Sequence, residues 1–587
     1  MDLFHESYAV VKNLAQQKGL SNVPVIHLLS LLSGNSAEMC GAGNPNTTGH
    51  PIVSYKDFDT IMGEEETKLA EGGFGEIFLT KSNNIVKKGK SDYESSDIRE
   101  IAILNYLNHP NIICLFGATF NKNILRIGLP KATVNMADYD LSTMPVRKAI
   151  FYQLFRGLAY IHSKHIWHLD MKNKNVLIFP KESGQTYDVA KIADFGISTV
   201  YSKPETKPDP NNIVTLWWRA PELLIGFENY TELVDEWALG VMLLNAVWDS
   251  KQDPIFWGVE ETDQLWSIFT LLGYPASKDW NDPDLDTEIE DLTSDAQQLL
   301  VPDKAQKRVL SPDVIPNNSG IDIPFDPEEY AVINDTVTWP TLRKSSIKIL
   351  SYPYFSSISK IIDTEVPADP IKQETCGEIM RQDIHPIKQL LPDVRRRRER
   401  AIIWLFKLPL TTQTKYYALT LLDKYLATDA PYSAREVGIL LIIAEQFIDP
   451  QNFDIIDSRI NYYNKGLNVN IDRSLISSTL EKLQFDLVFP TCYDFLFEYV
   501  DTTNKLYLDI NDDLLKILKN VYLEYAEFYQ PDHLAQLAIL ASGADKSIYK
   551  GNCIDKSLYT WDIYKNLVAI PEIEDIVKSY NYVQALK

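Results

Sequence analysis

The stretch WHLDMKNKNVLIF, residues 167–179, sets Asp170, Lys172 and Asn175 directly ahead of an apolar, strand-like run. It is one member of an ordered series. Upstream lie EGGFGEI (71–77), then IVKK (85–88), a short strand carrying Lys87, then SSDIREIAIL (95–104), a helix presenting Glu100. Downstream lie ADFG (193–196) and RAPE (219–222). Taken alone each signal is weak. A glycine-rich stretch is most often a tight hairpin, and a lone lysine or glutamate is most often a solvated surface group. The order is what constrains the fold. Short strand-like runs alternate with one helix from about 60 to 130, and helices dominate from about 145 onward.

The series resembles protein kinases over residues 60–357, and the chemistry explains the residue types. Phosphoryl transfer needs positioned charge more than covalent help. Gly72, Gly73 and Gly75 let backbone N–H groups approach phosphates with no Cβ in the way. The resemblance implies that Lys87 holds the α/β-phosphates of ATP and is oriented by Glu100. Asn175 and Asp194 would bind Mg²⁺, Asp170 would accept the substrate hydroxyl's proton, and Lys172 would lie near the transferred phosphate. Leu69, Ile77 and Leu177 would sandwich the adenine, and Glu222 is expected to pair with Arg343. The first glycine of the loop is replaced by Ala70, and the hinge near RIGLPKA (126–132) departs from the pattern.

Within that family, DIRE (97–100), NHPNII (108–113), VTLWWRAPELLIG (214–226), Asp235-x-Trp237 and DQLWSIFTLLGYP (263–275) resemble cyclin-dependent kinases. In that group the segment around Val214, Thr215 and Arg219 favours proline after the phosphorylated residue. The substrates implied are proteins with Ser-Pro or Thr-Pro sites. Two departures concern regulation. The activating phosphothreonine of the group falls at Pro210, and the three arginines that would read it fall at Arg99, Leu169 and Thr199. The Thr-Tyr pair that inhibitory kinases modify in the glycine-rich loop falls at Gly73-Phe74. A phosphate acceptor and two of its ligands lost together point to a discarded switch, with Asp209, or as the second choice Glu205, expected to pair with Arg99 in its place. Such a protein would suit an organism escaping host cell-cycle control, such as a large DNA virus.

The tail reads as amphipathic core helices on periodicity alone. The order of ERAIIWL (399–405), YYALTLLDKYLA (416–427), VGILLIIAEQFIDP (437–450) and LEKLQFDLVFPTCYDFLFEYV (480–500) also resembles a cyclin box. The architecture implied is an α+β bilobal kinase fold followed by an all-α cyclin fold of two five-helix repeats, 395–489 and 490–587. A linker, 358–394, would join them, and 1–55 would be an appended helical segment. Such a linker reaches about 100 Å when extended, far enough for the kinase and cyclin parts of one chain to meet. By that resemblance Gln446, or Glu445 if the alignment slips by one residue, stands where the cyclin family carries a buried lysine, and that lysine's glutamate partner falls at Ile476. Trp404 is read as buried packing, with a docking groove as the rival reading. The arginines at 395–398 are read as a solvated helix start.

The net charge of −23 argues against a nucleic-acid ligand, since phosphate contacts need a basic surface. The 5 scattered cysteines show no paired spacing, which fits a reducing compartment. No signal peptide or membrane-length apolar run is visible, so a soluble intracellular protein of the cytoplasm or nucleus is expected. The rival functional reading is a catalytically weak scaffold whose cyclin-like part sequesters partners.

Overall fold

The computed structural model describes Phe58 and residues 62–63, 65–72, 75–89, 95–121, 124–200, 207–210, 213–227, 230–248, 254–273, 326–369, 392–428, 433–448, 456–500, 505–525 and 531–542. The appended segment 1–55, Gly73, Phe74 and Glu205 lie outside the described residues. The chain divides into two units, Met1–Lys372 and Gln373–Lys587.

In the first unit, short β-rich runs punctuated by glycine and asparagine make an antiparallel sheet. Its strands are β1 (Glu65–Gly72), β2 (Gly75–Thr80), β3 (Asn84–Lys88), β4 (Gly117–Asn121) and β5 (Ile124–Pro130), in spatial order β1-β2-β3-β5-β4. Gly75 closes the β1–β2 turn at φ 132°, and a Cβ there would lie 2.3 Å from the Lys88 carbonyl oxygen. Only glycine fits that crossing. Helix α1 (Ser95–Tyr106) buries Ile98, Ile101, Ala102 and Leu104. The sheet is also covered by residues ahead of β1. Phe58 and Met62 are fully buried beside Val86, Cys114 and Phe116. Bare backbone at Gly128 makes room for them, since a Cβ there would come within 2.5 Å of the Met62 sulfur.

The helical part of this unit is built on α2 (Met144–Ser163), with strands β6 (Val134–Asn135), β7 (Ile166–Trp167), β8 (Val176–Phe179), β9 (Val189–Ile192) and β10 (Thr199–Val200) beside it. Next come α3 (Pro221–Leu224), α4 (Leu233–Trp248), α5 (Glu261–Leu272), α6 (Pro327–Thr336) and α7 (Ser346–Ile349). Buried ion pairs lock them together. Arg147 meets Glu329 at 3.0 and 3.1 Å, and Arg343 meets Glu222 at 2.5 and 3.0 Å, the pairing expected from the sequence. Residues 358–366, assigned above to a linker, belong to this packing. Helix α8 (Ser359–Glu365) buries Ile362, and Asp363 accepts hydrogen bonds from Tyr152 (2.9 Å) and Arg156 (3.0 Å). The helix is too short to show periodicity in the sequence, so only its partners reveal it.

The second unit is helical throughout its described residues: α9 (Pro392–Leu405), α10 (Thr412–Ala427), α11 (Ala434–Ile448), α12 (Ile456–Leu467), α13 (Arg473–Lys482), α14 (Cys492–Tyr499), α15 (Lys505–Tyr525) and α16 (Pro531–Ser542). Thr411, Asp472 and Thr491 cap α10, α13 and α14 with side-chain hydrogen bonds. Tyr417 stacks between Phe447 and Phe489, and its hydroxyl donates to the Leu487 carbonyl at 2.7 Å. The solvated reading of the arginine run fails at Arg398. Its side chain is 1% exposed and forks onto Asp423 at 2.6 and 2.9 Å, while Tyr522 donates to the same carboxylate. Among the described residues no helix is long and apolar enough to cross a membrane.

Candidate active site

The segment after β7 doubles back at Leu169, whose φ of 62° is left-handed, and Asp235 at the start of α4 fixes that turn. Its carboxylate accepts the backbone N–H groups of His168 and Leu169, each at 2.8 Å. The Asp170 N–H donates to His168 Nδ1 at 3.2 Å, which leaves the proton on Nε2 to reach the Ala193 carbonyl at 3.1 Å. Asp170 is thereby held on a rigid base.

Around its carboxylate the predicted polar residues converge. Lys172 Nζ lies 2.5 Å from Oδ2, and Asn175 Nδ2 donates to Oδ2 and to the Asp170 carbonyl, both at 2.9 Å. Thr215 donates to Oδ1 at 2.9 Å and accepts from Lys172 at 3.1 Å. A carboxylate so placed, with an ammonium group alongside, can receive a hydroxyl proton and steady charge developing next to it.

On β3, Lys87 reaches across to Glu100 on α1 at 2.5 Å. Burial opposes the lysine's charge, but Glu100, Asp194 and Asp97 outweigh it and hold the ammonium above its ordinary range. Burial pushes the Glu100 carboxyl up, against the pull of Lys87. Asp194, at φ 69°, follows Ala193, whose N–H donates to the Asn175 carbonyl at 2.9 Å, so the Asn175 and Asp194 backbones run side by side. Asn175 spends its NH₂ group on Asp170, which leaves its amide oxygen as the atom that could ligate a cation. One carboxylate and one amide oxygen are hard ligands, too few to cage a cation alone. That suits Mg²⁺, which takes its other ligands from water and phosphate. Leu69, Ile77 and Leu177 stand on β1, β2 and β8, Leu69 exposed and the others half-buried.

The segment around Val214, Thr215 and Arg219, which the kinase resemblance makes the activation segment, is anchored at several points. The Val214 N–H donates to the Leu169 carbonyl at 3.0 Å. Val214 itself sits at φ 59°, and its carbonyl accepts from Arg219 Nε at 3.2 Å and Nη2 at 3.1 Å. Glu261 on α5 pairs with the same guanidinium. Arg99 is buried on α1 and Asp209 is half-buried. Burial, with the charges of Asp209 and Asp235, raises the Tyr230 hydroxyl, which therefore stays a donor. Leu169 and Thr199, the uncharged residues at two of the arginine positions, are both buried. In the second unit Trp404 is half-buried and Gln446 and Ile476 are buried. Glu445, the neighbour of Gln446, pairs with Arg459 at 2.8 Å and accepts from Tyr463.

Sequence reasoning missed the anchoring contacts of Asp235 and Glu261, and the packing of the Lys207 ammonium over the Trp167 and Tyr230 rings. Asp235 carried a signal, as part of the quoted Asp-x-Trp pair. Trp167 opens the quoted stretch WHLDMKNKNVLIF without a role being read for it, and Glu261, Lys207 and Tyr230 stand in no motif.

Comparison with known proteins agrees with this geometry. Residues 64–309 match the protein kinase domain model. Cyclin-dependent kinase E-1 of Arabidopsis thaliana is 32% identical over 249 residues, covering 36% of this chain and 51% of that protein. The chain thus spans about half the length of that relative. The first unit contains a protein kinase domain, with sequence similarity to a cyclin-dependent kinase.

Proposed function

We propose that this chain is a cyclin-dependent-type serine/threonine kinase that transfers the ATP γ-phosphate to Ser-Pro and Thr-Pro sites. It works without activation-segment phosphorylation, and its own C-terminal cyclin-like unit switches it on. The observation that carries the substrate reading is the Val214 carbonyl. Turned by a left-handed backbone and taken by Arg219, it offers no acceptor to a substrate's N–H. Proline has none to satisfy. Any other residue would leave its amide unpaired at a cost of about 1–3 kcal/mol, which is roughly tenfold or more in rate.

Phosphate independence is supported by Pro210 at the acceptor position and by the buried, uncharged Leu169 and Thr199. Activation in cis is supported by the helix order of the second unit and by the tether, which gives an intramolecular partner roughly millimolar effective concentration. The test is transfer by purified full-length protein, with ATP and Mg²⁺ and no other kinase, to paired peptides differing only in Ser-Pro versus Ser-Ala. The expected preference is about tenfold or more. Equal transfer to both contradicts the proline-directed reading, and no transfer above an Asp170→Asn control contradicts the kinase reading.

A further inference from the structure

We propose that Lys207, clamped by Trp167 and Tyr230, is a positioning residue that sets the activation segment for substrate where no phosphate is present to do so. The inference rests on the kinase reading above and names the device that regulates the same site. Lys207 Nζ donates to the Tyr230 carbonyl at 2.8 Å and lies over the rings of Tyr230 (5.3 Å) and Trp167 (5.9 Å). The two rings pack edge to face at 5.9 Å, and the buried Tyr230 hydroxyl donates to the Pro208 carbonyl at 2.7 Å. An ammonium group facing aromatic rings with a carbonyl acceptor is a specific cation site, not a chance surface contact.

The rigid side of this clamp is well chosen. Trp167 lies on β7, paired with Thr199 of β10, and the next residues are His168, Leu169 and Asp170. Residues 207–208 are tied to the strand that leads into the catalytic loop. Val214 is tied to the same loop through the Leu169 carbonyl. The segment is therefore pinned on both sides of Pro210, where the related group would carry its phosphate. Pinning there fixes Val214, bonded to the Leu169 carbonyl, and Thr215, which donates to Asp170 Oδ1 at 2.9 Å. Lys207 acts on the reaction through them.

The test uses full-length protein treated with phosphatase, with Lys207→Met, Lys207→Arg and Tyr230→Phe variants. Steady-state kinetics on a Ser-Pro peptide should show kcat/KM about tenfold lower for Lys207→Met, with KM for ATP within twofold of the parent. Lys207→Arg keeps cation and donor, and should recover most of the loss. Tyr230→Phe should fall between. Hydrogen exchange gives a readout that does not depend on activity. In Lys207→Met, amides of residues 207–218 should exchange about tenfold faster while the β-sheet is unchanged. Unchanged exchange overturns the proposal even if the parent transfers no phosphate, the result that would refute the kinase reading instead. Arginine as damaging as methionine, or equal loss in KM for ATP, also overturns it.

Discussion

Each unit of the molecule joins two of its elements through a buried ion pair, and the two pairs differ in one respect. Lys87–Glu100 spans β3 and α1 with the lysine side chain still 19% exposed. Arg398–Asp423 spans α9 and α10 with the arginine 1% exposed and Tyr522 closing over the carboxylate. The first pair keeps one end open to a ligand. The second closes over its cationic end, the Arg398 side chain being 1% exposed and that of Asp423 9%. A buried charge pair that still reaches solvent is available for chemistry, whereas a sealed one serves only the fold.

That contrast can be broken by substitution. Arg398→Met leaves Asp423 buried with a single hydroxyl donor and should destabilise the second unit by about 3–5 kcal/mol, read from denaturant unfolding. If the shift is under about 1 kcal/mol, the pair is not sealed as described. Replacing both partners by apolar residues should restore much of the loss, because no lone charge then remains. Lys87→Met should lower phosphate transfer by roughly 100- to 1000-fold, the scale expected for losing one preorganised charge. It should shift the unfolding of the first unit less than Arg398→Met shifts the second, since burial already favours protonation of the Glu100 left behind. Equal unfolding shifts would erase the distinction between the two pairs.

A smaller effect sharpens the comparison within the first unit. Burial disfavours a charge on His162, but Asp235 (3.0 Å) and Glu236 (3.6 Å) outweigh it and push its pKa up to about 10. A raised folded-state pKa gives stability that is complete below the unfolded value near 6.5 and is lost as pH rises toward 10. Unfolding of the first unit should therefore become easier across that window, and His162→Gln should flatten the dependence. A parent profile that is flat from pH 6.5 to 10 would remove His162 from the support of Asp235.

The history of these residues in the sequence follows the same line. The groups around Asp170 were legible because transfer chemistry restricts residue type and order, so Lys87, Glu100, Asn175 and Asp194 stood out together. The helices of the second unit were legible from apolar periodicity. What stayed hidden were pairings made by the fold between residues with no shared motif. Arg398 looked like its arginine neighbours, and only the turn between α9 and α10 brings Asp423 to it. Lys207 sits in a stretch rich in proline and charge, and its role depends on rings 40 positions upstream and 23 downstream. Residues 358–366 lacked a periodic signal long enough to read. Chemistry that a substrate imposes is written locally, and contacts that only the fold imposes are not.

The central claim is that this chain transfers phosphate with its activation segment unmodified. It is tested by incubating phosphatase-treated full-length protein, shown by mass spectrometry to carry no phosphate at residues 201–218, with ATP, Mg²⁺ and a Ser-Pro peptide. Single-turnover analysis limits the protein to its unmodified form. The account predicts transfer well above the Asp170→Asn control, with no gain on adding an activating kinase. Activity that appears only after that kinase is added would contradict it.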